Sequence, residues 1–126
     1  MDDIAAKTIV LADDEQFIAI AFKDGLEHAG YVVIVASDGE QAIDLTRTHR
    51  PDLLLLDLIM PKMNGFEVLR EIKADTVLSV IPVIIFTNLS QPSDKAEAVA
   101  SGAEDFIVKT DVSLKDLLVR IEQLFS

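Results

Sequence analysis

The sequence predicts an α/β fold, with five parallel strands alternating with five helices so that both faces of a single sheet are covered. Three observations carry this. Short runs of leucine or β-branched residues recur five times along the chain. None shows the strict polar–apolar alternation of a strand with one wet face, so each is expected to be buried on both sides. Longer amphipathic stretches with recognisable starts lie between them, giving the right-handed crossovers that parallel strands need.

The first strand is "TIVLA" (8–12). The helix after it is expected to begin near Glu15 and to end around "HAGY", where Gly30 supplies a left-handed residue. "VVIVA" (32–36) is the second strand, and "SDGE" (37–40) reads as a capping box with Ser37 at the N-cap and Glu40 three residues on. "LLLLD" (53–57) follows, and then "NGFE", where Asn64 and Glu67 stand in the same relation. The fourth strand is "VIIFT" (83–87). Its helix starts after "SQPSD", with Pro92 in the first turn, and stops at Gly102. "FIVK" (106–109) is the fifth strand, and "SLKD" opens the last helix with Ser113 and Asp116. His28 and His49 fall near helix ends, where a cation suits the macrodipole.

Composition narrows the function. The 126 residues suit one domain, expected to span 1–126, with a single buried core. No apolar run is long enough to cross a bilayer, and the acidic opening "MDDIAAK" is unlike a secretory signal. Cysteine is absent, which removes disulfides, thiolate metal sites and thiol nucleophiles together. A cytoplasmic protein without membrane attachment is expected. The net charge of −11, from 22 acids against 11 bases, repels a phosphate backbone, so direct nucleic-acid binding is not expected.

Ligands of open parallel sheets gather beyond the carboxyl ends of the strands. Here strand one ends in Asp13 and Asp14, strand three in Asp57, strand four in Thr87 and strand five in Lys109. Singly, each has an ordinary reading. The two acids could cap the first helix, Thr87 could be a plain strand residue, and Lys109 could snorkel into solvent. Asp57 is harder to explain away, because an unpaired carboxylate beside four leucines is expensive. Together on four strand ends, these residues suggest a site. Clustered carboxylates repel unless a cation sits among them, and an oxygen-only donor set suits Mg²⁺, with Mn²⁺ or Ca²⁺ as substitutes. Lys109 and Thr87 can serve an incoming phosphoryl group, which points to phosphoryl transfer centred on a carboxylate.

"LADDE", "LLLLDLIMPKMNGFEVL", "VIIFT" and "FIVK", in this order and spacing, resemble the receiver domain of bacterial two-component response regulators over essentially the whole chain. The resemblance implies a flavodoxin-like (βα)5 fold with strand order 2-1-3-4-5. It implies that Asp57 is the phosphoacceptor for a sensor histidine kinase, a phosphotransfer protein or a small donor such as acetyl phosphate. Asp14, Asp57 and the carbonyl of Ile59 would bind Mg²⁺ directly, with Asp13 acting through water. Lys109 and Thr87 would hold the phosphoryl group, and Phe106 would be an aromatic switch that turns inward as Thr87 swings toward the phosphate. The fourth helix, fifth strand and fifth helix would then present an altered face to a downstream protein, as a monomer or a phosphorylation-dependent homodimer. Activity would be limited to the chain's own phosphorylation and dephosphorylation.

Within "MPKMNG", Pro61 and Gly65 read as backbone-shaping residues and Met60 as packing. Two positions depart from the family. Thr110 stands where a cis proline is usual, so a trans peptide is expected. Asn88 replaces a small residue, where it could slow donor access or bind the phosphate. Ile59 and Leu89 offer no polar group to orient water, which implies slow loss of the phosphoryl group. Only Phe125 and Ser126 follow the last predicted helix, so no output domain is expected in this chain. Three rivals fit less well. An aspartyl-phosphate phosphatase wants a second aspartate where Ile59 stands. A flavodoxin-like cofactor binder wants a phosphate loop after strand one. A receiver that signals without phosphorylation has no need of the intact acid set.

Overall fold

Successive residues of a strand point to opposite faces, and in this protein each face meets its own helices. The computed structural model describes residues 6–126. Most of the opening "MDDIAA", read above as unlike a signal, therefore lies outside the described residues. The elements run β1 (Thr8–Ala12), α1 (Gln16–His28), β2 (Val32–Ala36), α2 (Gly39–His49), β3 (Leu53–Leu56), α3 (Gly65–Ala74), β4 (Val83–Thr87), α4 (Pro92–Ala100), β5 (Asp105–Val108) and α5 (Leu114–Phe125). Two short 3-10 turns cover Leu78–Val80 and Lys109–Asp111. All strand pairs are parallel, and their order is β2-β1-β3-β4-β5, as the resemblance implied.

On one face, Val10, Leu54, Leu56 and Ile85 pack against Ile43 of α2, Val68, Leu69 and Ile72 of α3, and Ala98 of α4. On the other, Ile9, Leu11, Leu53, Leu55, Ile84 and Phe86 pack against Ala19 and Leu26 of α1 and Leu117 and Ile121 of α5. This explains the unbroken leucines of β3: the strand lies centrally and has no wet face, so all four are fully buried. Burying each side chain contributes about 1.5–3 kcal/mol relative to leaving it exposed.

Most predicted boundaries stand. The Asn64/Glu67 and Ser113/Asp116 capping boxes are both formed. Gly30 and Gly102 end their helices at φ +103° and +104°, where a Cβ would be strained. One cap differs. Asp38, not Ser37, caps α2, its carboxylate accepting the Gln41 N–H at 2.8 Å. Ser37 instead donates both its N–H and its hydroxyl to the Gln41 side chain. The capping-box pattern was off by one because "SD" offers two adjacent acceptors, and the aspartate has the charge that suits a helix start. His28 and His49 do lie in last helical turns.

Candidate functional site

The sheet ladder sets the site by continuing one residue past the strands. Ala12 pairs with Leu56, and beyond that pair the Asp57 N–H donates to the Ala12 carbonyl at 3.0 Å while the Asp13 N–H donates to the Ala36 carbonyl at 2.9 Å. Asp13 and Asp57 are thus held side by side at the carboxyl edge. Thr87 pairs with Val108, so the residue after Val108, Lys109, emerges at the same edge. Asp57 follows the end of β3 and Lys109 opens a 3-10 turn, each one residue beyond the strand in which the sequence placed it.

All four of these residues are buried: Asp13 is 1% exposed, Asp57 4%, Thr87 0% and Lys109 7%. Polar groups so deep are stable only when paired, and they are. Asp57 Oδ1 accepts from the Thr87 hydroxyl at 2.7 Å and from the Ile59 N–H at 3.3 Å. The Lys109 ammonium donates to Asp57 Oδ2 at 3.0 Å, to Asp13 Oδ2 at 2.5 Å and to Glu15 Oε1 at 3.4 Å. Asp13 Oδ1 accepts the Glu15 N–H at 2.9 Å, so both of its oxygens are engaged within the protein. Asp14, in contrast, is exposed.

Charge and burial compete here. Burial pushes the Asp13 carboxyl above its usual range, and the Lys109 contact and the Glu15 N–H only partly offset that. Burial also disfavours the Lys109 ammonium, but its hydrogen bond to Asp13 and the charge of Asp57 outweigh it, and its pKa is raised. Asp13, Asp14 and Asp57 each bring a carboxylate oxygen to within 4.8 Å of the others. Four acids, counting Glu15, face a single lysine. An all-carboxylate set of this size fits a small, hard divalent ion.

A recess of about 270 Å³ opens over Asp57, lined by Asp14, Glu15, Asp57, Ile59 and Asn88. Gly65 packs against the backbone that carries Asp57: an added Cβ there would overlap the Asp57 carbonyl oxygen and lie 2.6 Å from Leu58 Cα. The backbone-shaping role read for this glycine is therefore a steric one. Met60 is buried in the core, as expected for packing.

Phe106 does not touch the acids. It is half-buried against the apolar cluster under α2, α3 and α4. The Thr87 hydroxyl donates to Asp57 Oδ1 itself. The Lys109–Thr110 peptide is trans, like every other described peptide bond. Two neighbours were missed. Glu15 was read only as a helix start, although "DDE" places a third acid beside the pair. Phe86 lies with its ring centroid 5.8 Å from the Lys109 Nζ, and nothing in "VIIFT" distinguishes it from ordinary core. Among the described residues no helix is long and apolar enough to cross a membrane.

Comparison with known proteins agrees with this fold. The profile of the response regulator receiver domain matches residues 9–122. The chain is 36% identical over 103 residues to the alkaline phosphatase synthesis transcriptional regulatory protein PhoP of Bacillus subtilis, covering 82% of this chain and 42% of that protein. It is also 36% identical over 103 residues to the polar-differentiation response regulator DivK of Brucella anthropi, covering 82% of this chain and 84% of DivK. The chain therefore spans less than half the length of PhoP but most of DivK. Among solved structures, the receiver domain of the Francisella response regulator 1452 superposes with a TM-score of 0.87 at 30% identity, over 94% of this chain and 96% of that one. The chemotaxis protein CheY4 of Vibrio cholerae gives 0.88 at 28% identity, over 94% and 98%. The chain belongs to the response regulator receiver domains, the phosphoacceptor signalling modules of two-component systems.

Proposed function

We propose that Asp57 is the residue that accepts the phosphoryl group, from a phosphohistidine of a sensor kinase or phosphotransfer protein or from a small acyl phosphate. The observation that carries this reading is a buried carboxylate at the floor of an open recess, with one oxygen on a hydroxyl and the other on an ammonium. In the reaction an Asp57 oxygen forms the new bond to phosphorus as the bond to the donor nitrogen or oxygen breaks, and the donor leaves with the electron pair. Thr87 and Lys109 are then within reach of the phosphoryl oxygens.

Asp14, Asp57 and the Ile59 carbonyl would hold Mg²⁺, with Mn²⁺ as a substitute, and Asp13 would contribute through water. When bound, the ion would neutralise the acids and the phosphoryl charge. The engagement of both Asp13 oxygens and the exposure of Asp14 support that division. Asn88 lines the recess and can donate an amide hydrogen to the phosphoryl group.

The new group brings close to two negative charges. Each charge-assisted hydrogen bond contributes about 1.5–3 kcal/mol. If about half of two such bonds were specific to one state, the equilibrium would move about 10- to 200-fold. Thr87 and Phe106 supply a route for that bias: Ile85 pairs with Phe106 and Thr87 with Val108, so both side chains stand on the same face of adjacent strands. Tightening at Thr87 would be felt by the Phe106 ring and by the face made by α4, β5 and α5, where a downstream protein or a second copy would bind. The domain acts as a single unit over residues 1–126, in the cytoplasm, and its chemistry is confined to gaining and losing its own phosphoryl group.

The test is incubation with Mg²⁺ and acetyl phosphate. The expected product is an acid-stable, hydroxylamine-labile adduct, absent from Asp57→Asn. An equal adduct on the variant would overturn the assignment.

A further inference from the structure

Lys109 leaves the sheet on the side covered by α1 and α5. Ile84 and Phe86 face α1 and α5, as does Ile107, which pairs with Phe86 on the neighbouring strand. Two residues further, Lys109 leaves on this same side, as Asp13 and Asp57 do two residues beyond Leu11 and Leu55, and its ammonium reaches both acids. Its ammonium ends 5.8 Å from the centroid of the Phe86 ring. The ring is 1% exposed, and Phe22 of α1 packs on it edge-to-face, with centroids 4.8 Å apart at 88°.

We infer that Phe86, fixed by Phe22, is a positioning residue for phosphoryl transfer, holding the Lys109 ammonium over its ring face. The inference rests on the reading of Asp57 as acceptor and Lys109 as its phosphoryl partner. The negative face of an aromatic ring attracts a cation most strongly where water is excluded, as it is here. An aliphatic residue would keep the site apolar without that attraction. The lysine's other contacts are carboxylates that compete for it, and Asp57 alters its charge and shape on accepting a phosphoryl group. Asp13, with the shortest contact, would draw the ammonium away from the recess. Unlike the carboxylates, the ring pulls toward neither acid, and phosphorylation leaves it chemically unchanged. It therefore keeps the ammonium between the two acids, where it can reach the phosphoryl oxygens. The edge-to-face partner keeps the ring from tilting out of register.

Progressive fluorination weakens the ring's hold on a cation while nearly preserving its size. The experiment incorporates mono-, di- and trifluorophenylalanine at position 86 of the full chain, beside Phe86→Leu. It follows phosphorylation by acetyl phosphate with saturating Mg²⁺, together with Tm. The expected result is a stepwise fall in the limiting rate at saturating donor, about 3- to 30-fold over the series. Half-saturation by donor and Tm should change little, and Phe86→Leu should fall at the slow end. Adduct formation at a rate indifferent to fluorination would overturn the inference alone and leave Phe86 as packing, whatever Phe86→Leu does. Failure of the unmodified protein to gain an adduct, judged against Asp57→Asn, would overturn the reading beneath it as well.

Discussion

Replacing Asp14 with Asn should make the metal-free protein more stable and, at the same time, deaf to Mg²⁺. The carboxylates of Asp13, Asp14 and Asp57 approach within 4.8 Å of one another. At that separation two like charges repel by about 3.5 kcal/mol at an effective dielectric of ~20 and about 0.9 kcal/mol in water. Asp14 is exposed, so the lower part of that range applies to each pair, and its own attraction to Lys109 offsets part of the sum. The net gain from Asp14→Asn is about 1–2 kcal/mol. In a domain of this size that corresponds to a rise of roughly 3–8 °C in Tm. Wild type should respond in the opposite way to the ion, gaining about 2.7 kcal/mol when Mg²⁺ is present at roughly 100 times its Kd. Thermal melts in EDTA and in a Mg²⁺ series would give two lines that cross, the variant above at zero metal and the wild type above at high metal. A variant that is less stable in EDTA, or that gains as much from Mg²⁺ as wild type, would refute the idea that these acids are gathered for a cation.

Other perturbations probe separate parts of the same argument. Among the described residues the buried Thr46 hydroxyl has no hydrogen-bond partner, so Thr46→Val should raise stability by about 1 kcal/mol in urea melts, since it removes an unmet polar group at nearly constant shape. Gly65→Ala puts a methyl group on the Asp57 carbonyl; it should cost about 1–3 kcal/mol and slow phosphorylation by acetyl phosphate, because the acceptor's backbone has to shift. Asp75 receives the Leu78 and Val77 N–H groups, which hold its carboxyl below the usual 3.8. The folded state therefore favours the ionised form, and the stability this contributes is present above pH 3.8 and is lost as pH falls through the lower folded value. Asp75→Asn should flatten that part of the acid unfolding profile, seen as a smaller change in urea midpoint between pH 5 and pH 3.

Part of this was legible from residue order alone. A buried parallel strand and a capped helix are local patterns, and local sterics and backbone hydrogen bonding write them directly into the chain. The Asn64/Glu67 and Ser113/Asp116 boxes were readable for that reason, and so were the stops at Gly30 and Gly102. Polar residues closing four apolar runs also pointed to one edge, because parallel strands send their carboxyl ends the same way. Where two neighbours could do the same job, local pattern failed: "SD" offered two caps, and Asp38 took the position.

Tertiary structure decided which groups touch. Lys109 and Asp13 are 96 positions apart, and only the sheet order brings the ammonium between Asp13 and Asp57. The same packing recruited Glu15, slid Phe86 under the lysine, and put the Thr87 hydroxyl on Asp57 from the outset. Side-chain chemistry set what the site could be, since carboxylates, a hydroxyl and an ammonium suit cations and phosphoryl groups whatever their order in the chain. Distance and dryness set how strongly they interact, and both arise only when strands far apart in sequence close side by side.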